Sequence, residues 1–410
     1  MSLSREQIAT VTRFKGKVAE QRVPVDGSIE LSHRCNLKCI HCYLGDQDEI
    51  RQHRKQEMST AQVKSVIDQL VAAGTLNLTI TGGDPMVRKD FAQIYEYAVR
   101  SGLLVTVFCD AVLITDRIVE LFDKLPPRSV EVSIYGATAA TYEAITQVPG
   151  SFGKCLAGIE QLRNHGHRFM LKTVLMTPNA HELEQMRAMA EAYGVKFNFD
   201  SAIFPCLAHA DNAGKANRLK TGGSTNTGTK PRTSVEVAPP SLSGLGRKQP
   251  VALRVEPALG AKAQAFSEQR IDELAQSYVA ALGAPRSDAV YQCGAALTTF
   301  HIDPYGDLQA CTISTGTRYN VLDGSFMEGW NGPLKALRDL RQSRDKPCVS
   351  CDKRTLCVGC PAVFEAETGA KDLRSSYMCQ TTHALFDRIE PRVRELLREI
   401  PDEKRKQPTQ

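Results

Sequence analysis

Between residues 28 and 201 the chain repeats one pattern six times: a short β-rich run followed by an amphipathic helical stretch. The runs are Ser28–Ser32, Leu76–Thr81, Leu103–Phe108, Val130–Ile134, Phe169–Leu175 and Lys196–Ser201. Strands separated by helices pair in parallel, because a parallel neighbour is reached only by a crossover connection. The punctuation agrees with this alternation. Ser59 with Gln62 forms a capping box at the start of one helix, and Gly74 stands just past its end. Gly102 and Gly194 close two more helices, and Thr115 is a candidate cap. The fold class is therefore α/β, a parallel sheet with helices outside it. In barrels of this kind functional residues collect on the loops at the carboxyl ends of the strands.

The first of those loops carries Cys35, Cys39 and Cys42, spaced C-x3-C-x2-C and followed by Tyr43. Three thiolates without a fourth suit a four-iron cluster that leaves one iron open to a small molecule. A structural zinc or an electron-transfer cluster wants four ligands. Three ligands of a zinc knuckle with a distant fourth are the alternative, but no second CxxC or His pair lies nearby. Seven more cysteines fall in the last third of the chain. They are Cys293 and Cys311, then Cys348-x2-Cys351-x5-Cys357-x2-Cys360, and finally Cys379. Two zinc sites are the alternative reading of those CxxC pairs. Cys109 and Cys155 read as buried small hydrophobes. Cys206 follows the last strand, where a substrate could reach it.

Bulk properties exclude some classes. The longest apolar runs fall short of a bilayer span, and Met1–Lys17 is polar, without the apolar core of a signal peptide. A net charge of +5 spread over 410 residues does not single out nucleic acid. Thirteen cysteines without a secretory signal point to metal rather than disulfides, hence to the cytoplasm. Residues 211–250 hold 19 Gly, Pro, Ser or Thr, seven Lys or Arg and no aromatic residue, which predicts a flexible insertion. The expected division is an N-terminal segment (1–24), a barrel (25–206), the insertion (207–250), a linker helix (251–285), a cysteine-rich domain (286–385), and a C-terminal helix and tail (386–410).

The cysteine loop resembles the signature of the radical S-adenosylmethionine (SAM) enzymes, and the seven later cysteines resemble their SPASM extension. The central run departs from that extension's usual spacing, with two residues rather than three between Cys357 and Cys360. The resemblance implies a partial (β/α)6 TIM-like barrel with a small cysteine-rich C-terminal domain. It implies a SAM-binding [4Fe-4S] cluster on Cys35, Cys39 and Cys42, whose electron cleaves SAM to a 5′-deoxyadenosyl radical. Two auxiliary [4Fe-4S] clusters follow, one on Cys293, Cys311 and Cys360, the other on Cys348, Cys351, Cys357 and Cys379. Seven ligands close one cluster and leave the other with an open iron.

By the same resemblance Gly82-Gly83-Asp84-Pro85 would hold the SAM amino group, with Asp84 where Glu is more frequent. Tyr43 would pack beside the adenine, Ser133 would face the ribose or carboxylate, and Lys172 would neutralise the carboxylate. Asp200, ending the sixth run, is a candidate hydrogen-bonding or acid/base residue. Enzymes with this extension mostly modify peptides or proteins, so the expected activity is hydrogen abstraction from a residue of a ribosomally synthesised precursor peptide. The chain ahead of the barrel is too short for the winged-helix domain that grips many leader peptides. A separate recognition protein is implied, together with an electron donor such as flavodoxin or ferredoxin. No nucleic-acid or membrane partner is expected. The alternatives are a radical enzyme acting on a small molecule such as a tetrapyrrole side chain, and an iron–sulfur electron-transfer protein.

Overall fold

Alternation along each strand decides which way the sheet faces. In β2 (Asn77–Thr81) Leu78 and Ile80 are buried, while Asn77, Thr79 and Thr81 are only half-buried. The same period of two runs through β3 (Leu104–Cys109), β4 (Ser129–Ser133) and β5 (Phe169–Val174). Val105, Val107, Val130, Val132 and Leu171 therefore pack outward under helices, in one continuous core. Thr79, Thr81, Phe108, Ser133, Lys172 and Val174 point instead into the hollow of the sheet. The hollow is mixed in character, with Thr79, Thr81, Ser133 and Lys172 set among apolar Phe108 and Val174.

The computed structural model describes residues 4–206, 250–282, 287–343, 347–357 and 359–399. Its strands lie in the order β6-β5-β4-β3-β2-β1-β7-β8-β9, with β1 at Asp26–Glu30 and β6 at Phe197–Asp200. β1 to β6 are parallel throughout, as the six-fold alternation requires. The curved sheet adds a feature that the alternation does not contain. β7 (Thr299–Ile302) pairs in parallel with β1, and β8 (Asp307–Gln309) and β9 (Tyr319–Asn320) continue it antiparallel. The cysteine-rich region is thus built onto the barrel sheet itself. Gly306, at φ +88°, makes the β7–β8 turn, and Asp303 Oδ1 accepts the Tyr305 and Asp307 N–H groups at 2.9 Å each.

Ser59 and Gln62 form the reciprocal capping box that opens the helix Thr60–Ala72. Thr115 takes the cap position of Asp116–Lys124, but its side chain makes no capping bond. Two helices, Ala139–Thr146 and Ser151–Asn164, share the β4–β5 crossover. Beyond the barrel, Pro257–Gln264 and Glu268–Ala281 pack against the long helix Ser376–Glu399 through Ala261, Ala275, Tyr278, Leu385, Ile389 and Val393. That helix begins ahead of residue 386 and takes in Cys379. The stretch 207–249 of the expected insertion and the tail Lys404–Gln410 lie outside the described residues. Among the described residues no helix is long and apolar enough to cross a membrane.

Candidate active site

Cys35, Cys39 and Cys42 lie on the loop that leaves β1, and all three line one cavity of about 230 Å³. The loop is held by its backbone: Lys38 N–H donates to Thr146 O at 2.9 Å and Ile40 N–H to Ile145 O at 3.0 Å. Gln47 Oε1 accepts the Cys35 N–H at 2.7 Å, while its amide donates to His33 O. Burial pushes the Cys35 thiol well up, with Asp110, Asp84 and Cys39 adding to it. Burial likewise raises Cys39, and Cys42 to about 11. Thiols in this cavity would not ionise unaided, so the thiolate form requires a strongly positive group among them.

The glycines serve the approach of two backbones. A Cβ on Gly82, whose φ is +140°, would lie 2.2 Å from Ser32 O, and one on Gly83 would lie 2.4 Å from Arg34 O. Gly83 N–H donates to Ser32 O at 2.8 Å and Asp84 N–H to Arg34 O at 3.1 Å. The Gly-Gly turn is pressed against the segment that delivers Cys35 and also lines the cavity.

Asp84 departs from the expectation drawn for it. Its carboxylate is fully buried and is occupied by backbone, accepting Met86 N–H at 2.9 Å and Asp110 N–H at 3.1 Å. An aspartate just before Pro85 caps the short turn that follows, so its side chain folds back on the chain. The carboxylate that lines the cavity belongs to Asp110, with Oδ2 3.9 Å from Cys35 Sγ. Burial, then Asp84, pushes Asp110 well above the usual carboxylate range. Asp110 follows β3 just as Asp84 follows β2, and that strand-end position was the signal available in the sequence.

Ser133 and Lys172 are register partners on β4 and β5, and both face the cavity. Lys172 Nζ lies 3.4 Å from Glu131 Oε2 and over the face of Phe108. Burial lowers Lys172 to about 8, against the pull of Glu131.

Tyr43 donates its hydroxyl to Glu30 Oε1 at 2.8 Å. Glu30 is 1% exposed, and its Oε2 meets His33 Nε2 at 2.8 Å and His301 Nε2 at 3.5 Å. His301, on β7, shares a 2.8 Å hydrogen bond with Ser28 Oγ. Sequence reading missed His41, which stands inside the cysteine run and sits edge-on to Tyr135 at 4.5 Å. Its buried Nδ1 has no hydrogen-bond partner, and burial lowers it to about 4, leaving a neutral ring beside the cavity.

A second, larger cavity of about 640 Å³ occupies the hollow of the barrel. It shares His41, Tyr43, Thr81, Phe108 and Val174 with the cysteine cavity and reaches Cys311 and Thr312 beyond β8. Asp200 faces it from the end of β6, with Oδ1 accepting the Ala202 N–H at 2.8 Å. The protein around Asp200 still raises its carboxyl.

Of the later cysteines, Cys293, Cys311 and Cys360 are electrostatic neighbours, and the other four line a cavity of their own. Burial raises Cys311 to about 12, with Cys360 and Cys293 as its next thiol neighbours. Cys360 in turn feels burial, then Cys293 and Asp200. Cys348, Cys351, Cys357 and Cys379 line a separate cavity of about 90 Å³ with Arg354, Arg374 and His383. Among the described residues no three His, Cys, Asp or Glu converge as ligands of a single ion do. The donor sets, three thiols sharing one cavity and seven grouped as three and four, fit iron–sulfur clusters in chemistry and number. Cys109 and Cys155 are buried, and Cys206 is exposed beside Gly45.

Residues 29–190 match the family described as the Radical SAM superfamily. The mycofactocin maturase MftC of Mycolicibacterium smegmatis is 26% identical over 351 residues, covering 82% of this chain and 77% of that protein. The AdoMet-dependent heme synthase of Methanosarcina barkeri is 32% identical over 165 residues, covering 40% of this chain and 46% of its own length. The match thus spans less than half of that synthase. Streptococcus suis SuiB, solved bound to S-adenosylmethionine, superposes with a TM-score of 0.60 at 16% identity, over 92% of this chain and 83% of that one.

Proposed function

We infer that this chain is a radical SAM enzyme with a SPASM-like C-terminal region and that it modifies a residue of a ribosomally synthesised precursor peptide. The observation that carries the reading is the likeness to the mycofactocin maturase MftC along most of both chains, together with cysteines grouped as three, three and four. When bound, SAM and a four-iron cluster supply a 5′-deoxyadenosyl radical for hydrogen abstraction.

The chain's own residues orient and shelter that chemistry. Cys35, Cys39 and Cys42 would hold the SAM-binding cluster, and Gly82 and Gly83, pressed against the segment that delivers Cys35, would offer their backbone to the SAM amino group. Lys172 and Ser133, side by side on neighbouring strands, present a cation and a hydroxyl to the carboxylate and ribose of SAM. Phe108, Tyr43 and His41 form the partition between the cysteine cavity and the barrel hollow. The substrate residue would lie in that hollow, with Asp200 on one wall and Cys311 on the other. Cys293, Cys311 and Cys360 would hold the nearer auxiliary cluster. The second would rest on Cys348, Cys351, Cys357 and Cys379. We place the enzyme in the reducing cytoplasm, served by a flavodoxin or ferredoxin and by a separate protein that presents the peptide.

Reconstituted, reduced protein supplied with SAM should release 5′-deoxyadenosine, and a short peptide encoded beside its gene should change mass on co-expression. Release no higher than in a cluster-free control would sink the radical reading. A tetrapyrrole substrate is the second reading, favoured by the likeness to heme synthase. Mass change in an added tetrapyrrole, with none in the peptide, would decide for it.

Lys172 gives this site a pH dependence. A lysine lowered to about 8 carries its charge below that pH and loses it above. SAM affinity of the cluster-loaded protein is therefore expected to weaken as pH rises through about 8. Titration calorimetry should show that slope, and Lys172→Met should bind SAM more weakly with the slope flattened.

A further inference from the structure

The barrel is open at its other end as well. At the amino ends of the strands lies a polar cavity of about 640 Å³ that plays no part in the site described above. Three of its lining residues are cations at equivalent places in the fold. Arg128 immediately precedes β4, Arg168 precedes β5 and Lys196 precedes β6, and all three are exposed. Adjacent parallel strands thus present a row of positive charge along one rim.

The local acids do not neutralise this row. Glu131 is held by Lys172 from the far side, at 3.4 Å. Asp26 accepts the Asn77 amide at 2.6 Å, and Asn77 Oδ1 in turn accepts Arg128 Nη1 at 2.7 Å, which fixes that guanidinium at the rim. Among the described residues neither Arg168 nor Lys196 has an ion-pair partner. The cavity also leads somewhere. It shares Asp26, Gly27 and Thr79 with the barrel hollow, which in turn shares His41 and Tyr43 with the cysteine cavity. The three cavities adjoin one another along the bore of the open barrel, with Phe108, Tyr43 and His41 between the last two. Strands of four to six residues make that bore about 13–20 Å deep, the reach of about four to six extended residues.

We propose that the amino-end mouth of the barrel receives an acidic segment of the peptide substrate, whose carboxylates pair with Arg128, Arg168 and Lys196. The residue to be modified then extends up the bore toward the cysteine loop. The proposal rests on the peptide reading, but its test uses no SAM turnover, so either can fail without the other.

The probe is a fluorescein-labelled Gly-Ser peptide carrying several glutamates, with a glutamine version as its partner, read by anisotropy on the cluster-loaded full chain. The glutamate peptide should bind more tightly than the glutamine one. Reversing all three cations (Arg128→Glu, Arg168→Glu, Lys196→Glu) should weaken it about tenfold, the sum of three exposed charge contacts. The control reverses Arg100, Arg270 and Arg394, which are exposed elsewhere, and should leave binding within twofold. These surface positions spare the core, and unchanged thermal melting of each variant checks that. Equal binding of the glutamate peptide by the rim variant, or an equal loss in the control, overturns the proposal. So does an oligothymidylate that competes at the rim and binds more tightly than the peptide.

Discussion

Cys39→Ala is expected to abolish 5′-deoxyadenosine release while leaving the chain folded and most of its iron in place. In the proposed reading Cys39 would be the middle ligand of the three, and it is buried in the cavity with Cys35 and Cys42. Two thiolates cannot retain a four-iron cluster that already lacks a fourth protein ligand, so the whole group is lost rather than weakened. The loop around it stays. Its backbone bonds to Ile145 and Thr146 and the Gln47 bridge use no sulfur. Iron content should fall by about four atoms per chain, with the melting temperature close to that of the parent. Cys348→Ala supplies the contrast. It lies in the separate cavity near the last helix, so iron should fall by a similar amount while SAM cleavage without substrate persists. Cleavage surviving in Cys39→Ala, or vanishing equally in both variants, would contradict the assignment of the radical-generating site.

How much of this could be read from the sequence depends on range. The strand–helix alternation is a local signal, and it yields six parallel strands because each crossover is encoded within some forty residues of chain. Cysteine spacing is local too, and the three, three and four grouping came from matching that order to a known pattern. Non-local pairing was not legible. β7 is four residues long and sits more than 250 residues after β1, so no periodicity announces that Thr299–Ile302 will extend the barrel sheet. The orientation of the Asp84 side chain was not legible for a different reason. A carboxylate after two glycines can face a ligand or cap the turn at Pro85, and backbone N–H groups placed only by the fold decide between them. His41 was hidden in plain view, since a histidine between two cysteines draws attention to the sulfur on either side.

Glu30→Ala is expected to be among the most destabilising single changes in the barrel, costing about 3–5 kcal/mol. Glu30 ends β1 with its carboxylate 1% exposed, between His33, His301 and the Tyr43 hydroxyl. It joins three parts of the molecule: the loop before Cys35, the residue after Cys42, and the strand that carries the cysteine-rich region. Removing it leaves the buried His33 and His301 rings without this carboxylate partner and a buried phenol without an acceptor, each a cost that the smaller side chain does nothing to relieve. Thermal unfolding should shift down by about 4–6 °C. Glu30→Gln keeps the shape but not the charge and should lie between the two.

The pH course separates the charge effect from simple packing loss. Burial would raise Glu30, but His33 and His301 overcome it and hold the carboxyl well below 4.5. The contribution of Glu30 is therefore complete above about pH 4.5 and fades as pH falls through the depressed native value. Burial would lower His33, but Glu30 overcomes it and holds the imidazole above 6.5. The contribution of His33 is complete below about pH 6.5 and fades as pH rises through the raised native value. The stability gap between the parent and Glu30→Ala should be widest between those two pH values and narrow on either side. A gap that stays constant from pH 4 to pH 9 would mean that Glu30 contributes packing alone. In that case Tyr43, next to Cys42, owes its position to the backbone of the cysteine loop rather than to a charge at the end of β1.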